Sequence, residues 1–401
     1  LSPSTGKRVA LAIRQMGRVS QLQGKSDEAL GAFERSRDLL LRLNDRYPED
    51  SDLLFELGQA EYYIGNLHFT QGRYDSALQS MQLYHRLTNA LMDQDPDNPD
   101  WILELSYAHN NLAAVHLGSG KGVDEATLAH VEEAIRLMET VAALKPDDEA
   151  VASGYSTLLA WAADAQIEAC NLAEAIKLRH KVLELAKFSS EADPGNNEAK
   201  KHYAFALTGL AWVKTLSGAT ELAVENLQRA VAILRALSAA DLSNFHLRQE
   251  TLYRRVMLAR LLGETGQLGR AVDMMTEIES EFNELGNLEE QDGVPEKEYT
   301  KFLLDFVDAQ LRLGDPDSAK KHLETVIALQ LQNQDKRSPD LFEEHQIIMT
   351  RYLWWQLEGT RKLESLPVVQ PVNLKAVSYT HLRAHETQEV ISYAVFCLKK
   401  G

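Results

Sequence analysis

The stretch GRYDSALQSM, residues 72–81, decides the fold because six other stretches of the chain resemble it. They are GKSDEALGAF (24–33), GVDEATLAHV (122–131), CNLAEAIKLR (170–179), GATELAVENL (218–227), GQLGRAVDMM (266–275) and GDPDSAKKHL (314–323). The shared alanines follow one another at intervals of 48, 49, 49, 48, 48 and 48 residues, and they are Ala29, Ala77, Ala126, Ala175, Ala223, Ala271 and Ala319. A fixed period of this size predicts an array of stacked repeats.

Two further positions recur with these alanines and indicate what each repeat is. Five residues earlier stands a glycine in most repeats, namely Gly24, Gly72, Gly218, Gly266 and Gly314, with Gly120 displaced by a one-residue insertion in the third. Cys170 replaces the glycine in the fourth repeat, where we expect Asn171 to adopt the left-handed conformation. Twelve residues before the alanine stands a small residue in most repeats, namely Gly17, Gly65, Ala163, Ala211 and Ala259, with Val307 as the exception. The pattern predicts two closely packed antiparallel helices joined by a glycine turn.

Proline-containing junctions separate the repeats. They read RYPEDS, QDPDNPDW, LKPDDE and ADPGNNE, and their prolines are Pro48, Pro96, Pro146 and Pro194. Proline ends the second helix of a repeat, and the Asp or Asn that follows is suited to cap the next helix. We therefore predict an all-α fold over residues 1–360, an α-solenoid of about seven antiparallel helix hairpins with a C-terminal capping helix over about residues 340–358. A linker is expected over residues 361–376.

Composition excludes several classes of function. The formal net charge of −17 argues against a nucleic-acid partner, because such a surface needs an excess of Lys and Arg. No apolar run is long enough to span a membrane, and Cys170 and Cys397 cannot form a disulfide framework. The segment SGKGVDEA lacks the second glycine and the Ser or Thr of a phosphate-binding loop. We expect no enzyme activity, no cofactor, no metal and a cytoplasmic location, in a chain that starts at Leu1 and is expected to be a fragment.

The repeat resembles the tetratricopeptide repeat in its small residue, glycine, alanine and closing proline, over roughly residues 5–360. It is a variant with about 48 residues per hairpin in place of about 34. The resemblance implies that the first helix of each hairpin lines a concave groove that binds a peptide or a partner protein. The residues that it places in this groove are Arg14, Arg18, Tyr62, Asn66, Asn110, Asp164, Thr208, Trp212 and Arg260.

The roles of these groove residues stay open at the level of sequence. Arg14 and Arg18 are suited to pair with a peptide carboxylate, and Tyr62 and Trp212 offer aromatic surface. The alternative is that the two arginines only solubilise a terminal repeat and that Trp212 packs against a neighbouring hairpin.

Three hypotheses for function follow. The first is a protein-interaction scaffold. The second is a regulatory or sensory arm of a larger bacterial signalling protein, a Ser/Thr kinase or a transcriptional regulator, because the DPDNPDW junction resembles those of long-repeat arrays in such proteins. The third is self-association through RYLWWQ, residues 351–356, although we favour a capping role for this segment because the last hairpin has an open apolar end.

The C-terminal segment HLRAHETQE, residues 381–389, has the spacing of a metal site. His381 and His385 are four residues apart with Glu386 and Glu389 close by, the spacing that places two imidazoles and a carboxylate on one face of a helix. However, VSYTHLRAHET and ISYAVFCLKKG match the two constant parts of a translated transposase-type sequencing adapter, with residues 388–390 in the place of a sample index. We therefore expect residues 377–401 to be a non-native tail, and the metal-site hypothesis is set aside.

Overall fold

The computed structural model describes residues 2–119, 122–292, 296–333 and 341–358. Within these residues the chain forms consecutive α-helices that fall into two compact units divided after Asn171. Unit 1 contains α1 (Pro3–Leu22), α2 (Ser26–Asn44), α3 (Ser51–Thr70), α4 (Tyr74–Gln94), α5 (Pro99–Gly118), α6 (Glu125–Leu144) and α7 (Glu149–Glu168). Unit 2 contains α8 (Leu172–Ala192), α9 (Asn197–Leu216), α10 (Thr220–Ala240), α11 (Phe245–Glu264), α12 (Leu268–Asp292), α13 (Glu296–Arg312), α14 (Pro316–Asn333) and α15 (Leu341–Glu358).

The helix-ending turns follow the predicted glycine rule. Positive φ angles occur at Gly24, Gly72, Gly122, Gly218, Gly266 and Gly314, and also at Cys170, whose φ is 61°. In five of these turns, the backbone N–H of the residue after the glycine donates to the carbonyl five positions earlier, as Arg73 N does to His68 O at 2.9 Å. These are the turns at Gly24, Gly72, Gly218, Gly266 and Gly314. Asn171 N makes the same bond to Gln166 O at 2.8 Å. The expectation for Asn171 is thus wrong, because the turn's hydrogen bonds require the left-handed residue one position earlier.

The third repeat departs from the expected register. Ala126 is exposed, whereas Thr127 is buried and lies five residues after Gly122, which has a φ of 85°. The helix caps before α3 and α5 are 48 residues apart, at Asp50 and Asn98. The equivalent buried positions of α4 and α6, Ala77 and Thr127, are 50 apart, so the insertion adds two residues and not one. Gly120 lies outside the described residues.

Small side chains allow the two helices of a hairpin to pack closely. A Cβ atom added to Gly17 would lie 2.6 Å from Cε1 of Phe33, and one added to Gly65 would lie 2.9 Å from Cε of Met81. The repeated alanines Ala29 and Ala77 are fully buried at the same crossings. The small residues of the repeat therefore set the distance between the helix axes, as the sequence predicted.

Asp and Asn side chains start the first helices, as expected from the junctions. Asp50 Oδ1 accepts from Leu53 N at 3.1 Å, and Asn196 Oδ1 accepts from Ala199 N at 3.0 Å. Asp148 caps α7, Asn98 caps α5 and Asn244 caps α11 in the same way. Each cap satisfies a backbone donor that the first turn of a helix leaves unpaired.

Consecutive hairpins pack through a stripe on the first helix of the later one. In unit 1, Leu57 and Ala60 of α3 share an apolar cluster with Leu40 of α2, and Ile64 and Leu67 share another with Phe33. The α5 residues Ala108, Leu112 and Val115 cluster with α4 in the same manner.

In unit 2, α15 packs on α13 and α14, with Leu353 buried in their apolar cluster and Trp354 against it. The all-α fold with a C-terminal capping helix is confirmed. The linker over residues 361–376 and the tail over residues 377–401, including His381 and His385, lie outside the described residues.

Candidate binding surface

The two arginines of α1 have different environments. Arg14 is buried, and its Nη1 lies 2.6 Å from Glu56 Oε2 on α3 and donates to the Glu56 carbonyl at 3.3 Å. Arg18 is exposed; its Nη1 donates to Gln15 Oε1 at 3.2 Å, and its guanidinium carbon lies 5.6 Å from the ring centroid of Tyr63. Arg14 therefore joins α1 to α3, and only Arg18 presents its charge to solvent.

Tyr63 of α3, which lies under Arg18, belongs to a row of three tyrosine rings on α3 and α4. The rings of Tyr62 and Tyr63 meet edge to face at 5.2 Å, and Tyr62 lies 5.9 Å from Tyr84. Tyr62 is half-buried, and burial is the main cause that raises the pKa of its hydroxyl above the ordinary value. The phenol is therefore neutral at physiological pH and can act as a hydrogen-bond donor.

A half-buried carboxylate connects α3, α4 and α5. Glu104 Oε2 accepts from Gln59 Nε2 at 2.8 Å and from Tyr84 Oη at 2.5 Å. Burial raises the pKa of the Glu104 carboxyl, and the bonds from Tyr84 and Gln59 oppose that shift. These bonds fix the first helices of two successive hairpins relative to each other, which holds Tyr62 in position.

The remaining predicted residues of unit 1 lie on first helices and are partly accessible. Asn66 is on α3, Asn110 on α5 and Asp164 on α7, and each is half-buried. We group them with Arg18 and Tyr62, by their repeat positions, as the first-helix face of unit 1. Its side chains offer one cation, one carboxylate, two amides and a phenol.

The predicted residues of unit 2 are buried. Thr208 Oγ1 donates to the carbonyl of Ala204 in its own helix at 3.0 Å, and Trp212 is 8 % exposed on α9. Arg260 Nε lies 3.8 Å from Glu264 Oε1.

The register equivalent of Arg260 on α13, Asp308, accepts from Arg312 Nε at 2.7 Å. Burial raises the pKa of Asp308, and the charges of Arg312 and Arg260 oppose the shift. These side chains stabilise the interior of unit 2 and expose little surface.

Three histidines form a second polar cluster in unit 1. His109 Nε2 lies 3.2 Å from His85 Nε2, and His109 Nδ1 lies 2.8 Å from His130 Nδ1, which joins α4, α5 and α6. Burial, with the charges of its two neighbours, lowers the pKa of His109 to about 4. His109 offers a different nitrogen to each neighbour, so the rings do not converge on one point. Among the described residues no group of three or more His, Cys, Asp or Glu is suited to hold a metal.

Tyr63, Gln59, Glu104 and the histidine cluster were not predicted from the sequence. The repeat period could have indicated Glu104, because it stands 48 residues after Glu56. Each of the two glutamates contacts the first helix of the preceding hairpin, Glu56 through Arg14 and Glu104 through Gln59. The histidines are separated by 24 and 21 residues, so the repeat period does not relate them. Their proximity depends on three helices packing together.

No helix in the described part of the chain combines the length and apolar character needed to cross a membrane. No protein-family model matches the sequence, and no curated protein matches it.

Similar solved structures include a putative kinesin light chain from Podosopora anserina with nearly identical tetratricopeptide-like repeats, 21 % identical over 59 % of this chain and 98 % of that one, with a TM-score of 0.40. A tetratricopeptide repeat protein from Parabacteroides merdae is 11 % identical over 86 % and 99 %, with a TM-score of 0.40. A Rap protein complexed with competence and sporulation factor is 14 % identical over 96 % and 99 %, with a TM-score of 0.42. The helix hairpins described above, with their small residues at the helix crossings and their glycine turns, resemble the tetratricopeptide repeat.

Proposed function

We propose that the chain is a protein-interaction scaffold and that the first-helix face of unit 1 binds an extended peptide that carries a carboxylate. The supporting observation is the exposed guanidinium of Arg18, which lies over Tyr63 while the neighbouring Arg14 is already paired with Glu56. A cation held over an aromatic ring keeps a defined position and stays available to an anion.

The other residues of the face suit the rest of such a peptide. Tyr62 offers a ring edge and a hydroxyl, and Asn66 and Asn110 offer amide groups that can pair with a peptide backbone. The Glu104 network and the Arg14–Glu56 pair hold the three helices before a ligand arrives, which lowers the entropic cost of binding. Thr208, Trp212 and Arg260 were placed in the same groove by the sequence, but their burial leaves the proposal to rest on unit 1.

The test begins with a random peptide library displayed on phage and selected on the whole chain. Peptides obtained from it are then titrated against the wild type and against Arg18→Glu and Tyr62→Ala. We expect enrichment of acidic residues, and about a tenfold or greater loss of affinity in each variant, equal to about 1.4 kcal/mol per tenfold. The melting temperature of Arg18→Glu should stay close to wild type, because that side chain is exposed. Tyr62→Ala removes a half-buried ring and should lower the melting temperature, so its affinity is measured well below that temperature.

Arg42→Glu is the matched control, since Arg42 is an exposed arginine on α2, away from the first-helix face. Equal affinity of the selected peptides for wild type, Arg18→Glu and Tyr62→Ala would contradict the proposal. The alternative from the sequence, a regulatory arm of a signalling protein, depends on sequence beyond these residues and stays a prediction.

A further inference from the structure

The histidine cluster lies where the second hairpin of unit 1 meets the third. His85 belongs to α4, His109 to α5 and His130 to α6, and adjacent ring centroids are 4.5 Å and 5.0 Å apart. The facing ring nitrogens are 3.2 Å and 2.8 Å apart, so each contact is a hydrogen bond between two imidazoles. We call such a meeting of a second helix with both helices of the next hairpin a junction.

The junction between the first and second hairpins has other side chains at the same repeat positions. Arg37, Glu61 and Ser80 stand 48, 48 and 50 residues before the three histidines, and the last interval contains the two-residue insertion. Arg37 Nε lies 3.9 Å from Glu61 Oε1, and a hydrogen bond from Ser80 reaches the same carboxyl group. An ion pair and a hydroxyl therefore connect these two hairpins.

A junction of unit 2 is apolar at these positions. Leu183 of α8 and Leu207 of α9 stand 98 residues after His85 and His109, which is also the interval between the caps Asn98 and Asn196. Both leucines belong to one apolar cluster. The repeat position thus holds successive hairpins together, and in the histidine cluster its side chains are ones that change charge at mildly acidic pH.

The number of bound protons decides whether the histidine cluster stays packed. Neutral His109 donates from one ring nitrogen and accepts at the other, so three neutral rings can satisfy both contacts. One added proton on His109 lets it donate to both neighbours. A second added proton would place two N–H groups opposite each other across 2.8 or 3.2 Å, on adjacent positive rings.

The carboxylates near the cluster are already engaged. Glu133 accepts from Arg136 Nε at 2.8 Å, and Asp124 Oδ1 accepts from Thr127 N at 2.8 Å as the cap of α6. Charged groups that act on the three rings are Arg86 of α4, His116 of α5, Asp124 before α6, and Glu133 and Arg136 of α6. These surroundings offer a charged imidazole little compensation for its burial.

We infer that the histidine cluster is a pH-sensitive junction that loosens the packing of α5 on α4 and α6 in mildly acidic conditions and so weakens ligand binding to the first-helix face of unit 1. The pKa of His109 is about 4 in the packed cluster, lowered by burial and then by His85 and His130, and about 6.5 for a hydrated imidazole. The junction is therefore closed above about pH 6.5, and closure is lost as the pH falls towards 4.

The effect on ligand binding rests on the proposed function, whereas the opening of the junction does not. Asn110, which follows His109 directly, lies on α5. So does Glu104, which holds Gln59 of α3 and Tyr84 of α4. Movement of α5 would therefore alter the first-helix face where it passes from α3 to α5.

Hydrogen–deuterium exchange of the whole chain without peptide tests the junction itself. Exchange rates of α5 amides, corrected for the intrinsic effect of pH and referred to those of α2, are compared at pH 7.5 and pH 5.0. We expect about threefold or greater acceleration at pH 5.0 in the wild type and none in His109→Gln, whose side chain is uncharged at both pH values. His130→Gln removes an outer ring and should also reduce the response, which provides a second variant.

His202→Gln is the matched control, because His202 is an exposed histidine on α9, and it should respond as the wild type does. Acidic peptides selected on phage at pH 7.5 are then titrated at both pH values. We expect the wild type to bind about threefold or more weakly at pH 5.0, and His109→Gln to lose less affinity. Carboxylates of the peptide titrate equally with both proteins, so the difference between the proteins belongs to the cluster.

The two measurements separate this inference from the proposed function. Equal acceleration of exchange in the wild type and in both variants, or none in any of them, would overturn the inference whether or not a peptide binds. Faster exchange in the wild type with the same loss of peptide affinity in His109→Gln would overturn the link to the ligand surface. Failure of every peptide to bind at pH 7.5 would contradict the proposed function, and the exchange rates would still decide whether the junction opens.

Discussion

The first helix of each hairpin follows the same repeat pattern in unit 1 and in unit 2, but the side chains at the predicted groove positions differ in their exposure to solvent. In unit 1 the first-helix positions carry partly accessible polar and aromatic side chains, such as Tyr62, Asn66 and Asn110. In unit 2 the corresponding positions are buried, with Thr208 bonded to its own helix and Arg260 near Glu264 and Asp308. Apart from Arg14, which is buried and paired with Glu56, one repeat pattern thus supports a candidate ligand surface in unit 1 and buried polar side chains in unit 2.

The largest expected effect tests the buried ion pair of unit 2. Asp308→Ala leaves Arg312 without its carboxylate at 2.7 Å, and removing one partner of a buried pair costs about 3–5 kcal/mol. We expect a loss of about 3 kcal/mol in the free energy of unfolding, measured by urea titration. Asp308→Asn keeps the shape of the side chain and separates the loss of charge from the loss of volume.

Asn110→Ala is the matched substitution in unit 1, where the side chain is half-buried on the first-helix face. Its effect should stay within about 0.5 kcal/mol, as for most surface positions. If Asp308→Ala and Asn110→Ala cost the same, the contrast between the two units is wrong, and the ion pair of unit 2 contributes no more than a surface contact.

An intermediate effect is expected from the histidine cluster of unit 1. The pKa of His109 is about 4 in the folded protein, lowered by burial and then by His85 and His130, and about 6.5 in an unfolded chain. Below pH 6.5 the unfolded chain binds a proton that the folded protein resists. The stability contributed by neutral His109 is therefore present above about pH 6.5 and is lost as the pH falls towards 4.

The measurement compares melting temperatures at pH 7.5 and pH 5.0 in the wild type and in His109→Gln. The charged neighbours of the cluster are Arg86 on α4, His116 on α5, Asp124 before α6, and Glu133 and Arg136 on α6. Burial raises the pKa values of the Glu61 and Glu104 carboxyls, which act in the opposite direction in both proteins, so the difference between the two proteins reports on the histidine cluster. We expect the wild type to lose a few degrees more than the variant; an equal loss would show that His109 does not contribute.

The sequence predicted the hairpins well because the residues that recur with the repeat period are the ones that helix packing, turns and caps require. Small residues at Gly17 and Gly65, glycines at the turns and Asp or Asn at the caps are local requirements that a repeat must satisfy in every copy. Burial at the first-helix positions is different, because it depends on the neighbouring hairpin. The sequence placed Trp212 and Tyr62 in one groove, and only the packed structure distinguishes the buried ring from the half-buried one.

The repeat pattern could not predict the histidine cluster or the turn of the third repeat, and in both cases the reason is that side-chain positions depend on the packed helices. His85, His109 and His130 meet only because α4, α5 and α6 pack together. Ala126 has the expected residue type at nearly the expected spacing, but the two added residues move Thr127 into the buried position. A residue's type and spacing therefore identify a repeat, whereas its exposure requires the exact phase of the helix.

The smallest expected effect tests whether the glycine turns of the two units have the same energetic cost. Gly72 in unit 1 has a φ of 71° and Gly218 in unit 2 has a φ of 79°, and a Cβ added to either would meet no atom within 4 Å. The cost of Gly72→Ala and of Gly218→Ala is therefore that of the backbone alone, about 1 kcal/mol each.

The control for these turns is Gly269→Ala in α12, where an added Cβ also meets no atom within 4 Å but the backbone is helical. Alanine should stabilise the protein there by up to about 0.5 kcal/mol, because glycine loses more conformational freedom in a helix and Gly269 lies in the first turn of α12. Chemical denaturation gives all three values. Equal losses at Gly72 and Gly218 with a gain at Gly269 would assign the cost to left-handed backbone in both units, and unequal losses would mean that the turns, like the first-helix positions, differ between the units.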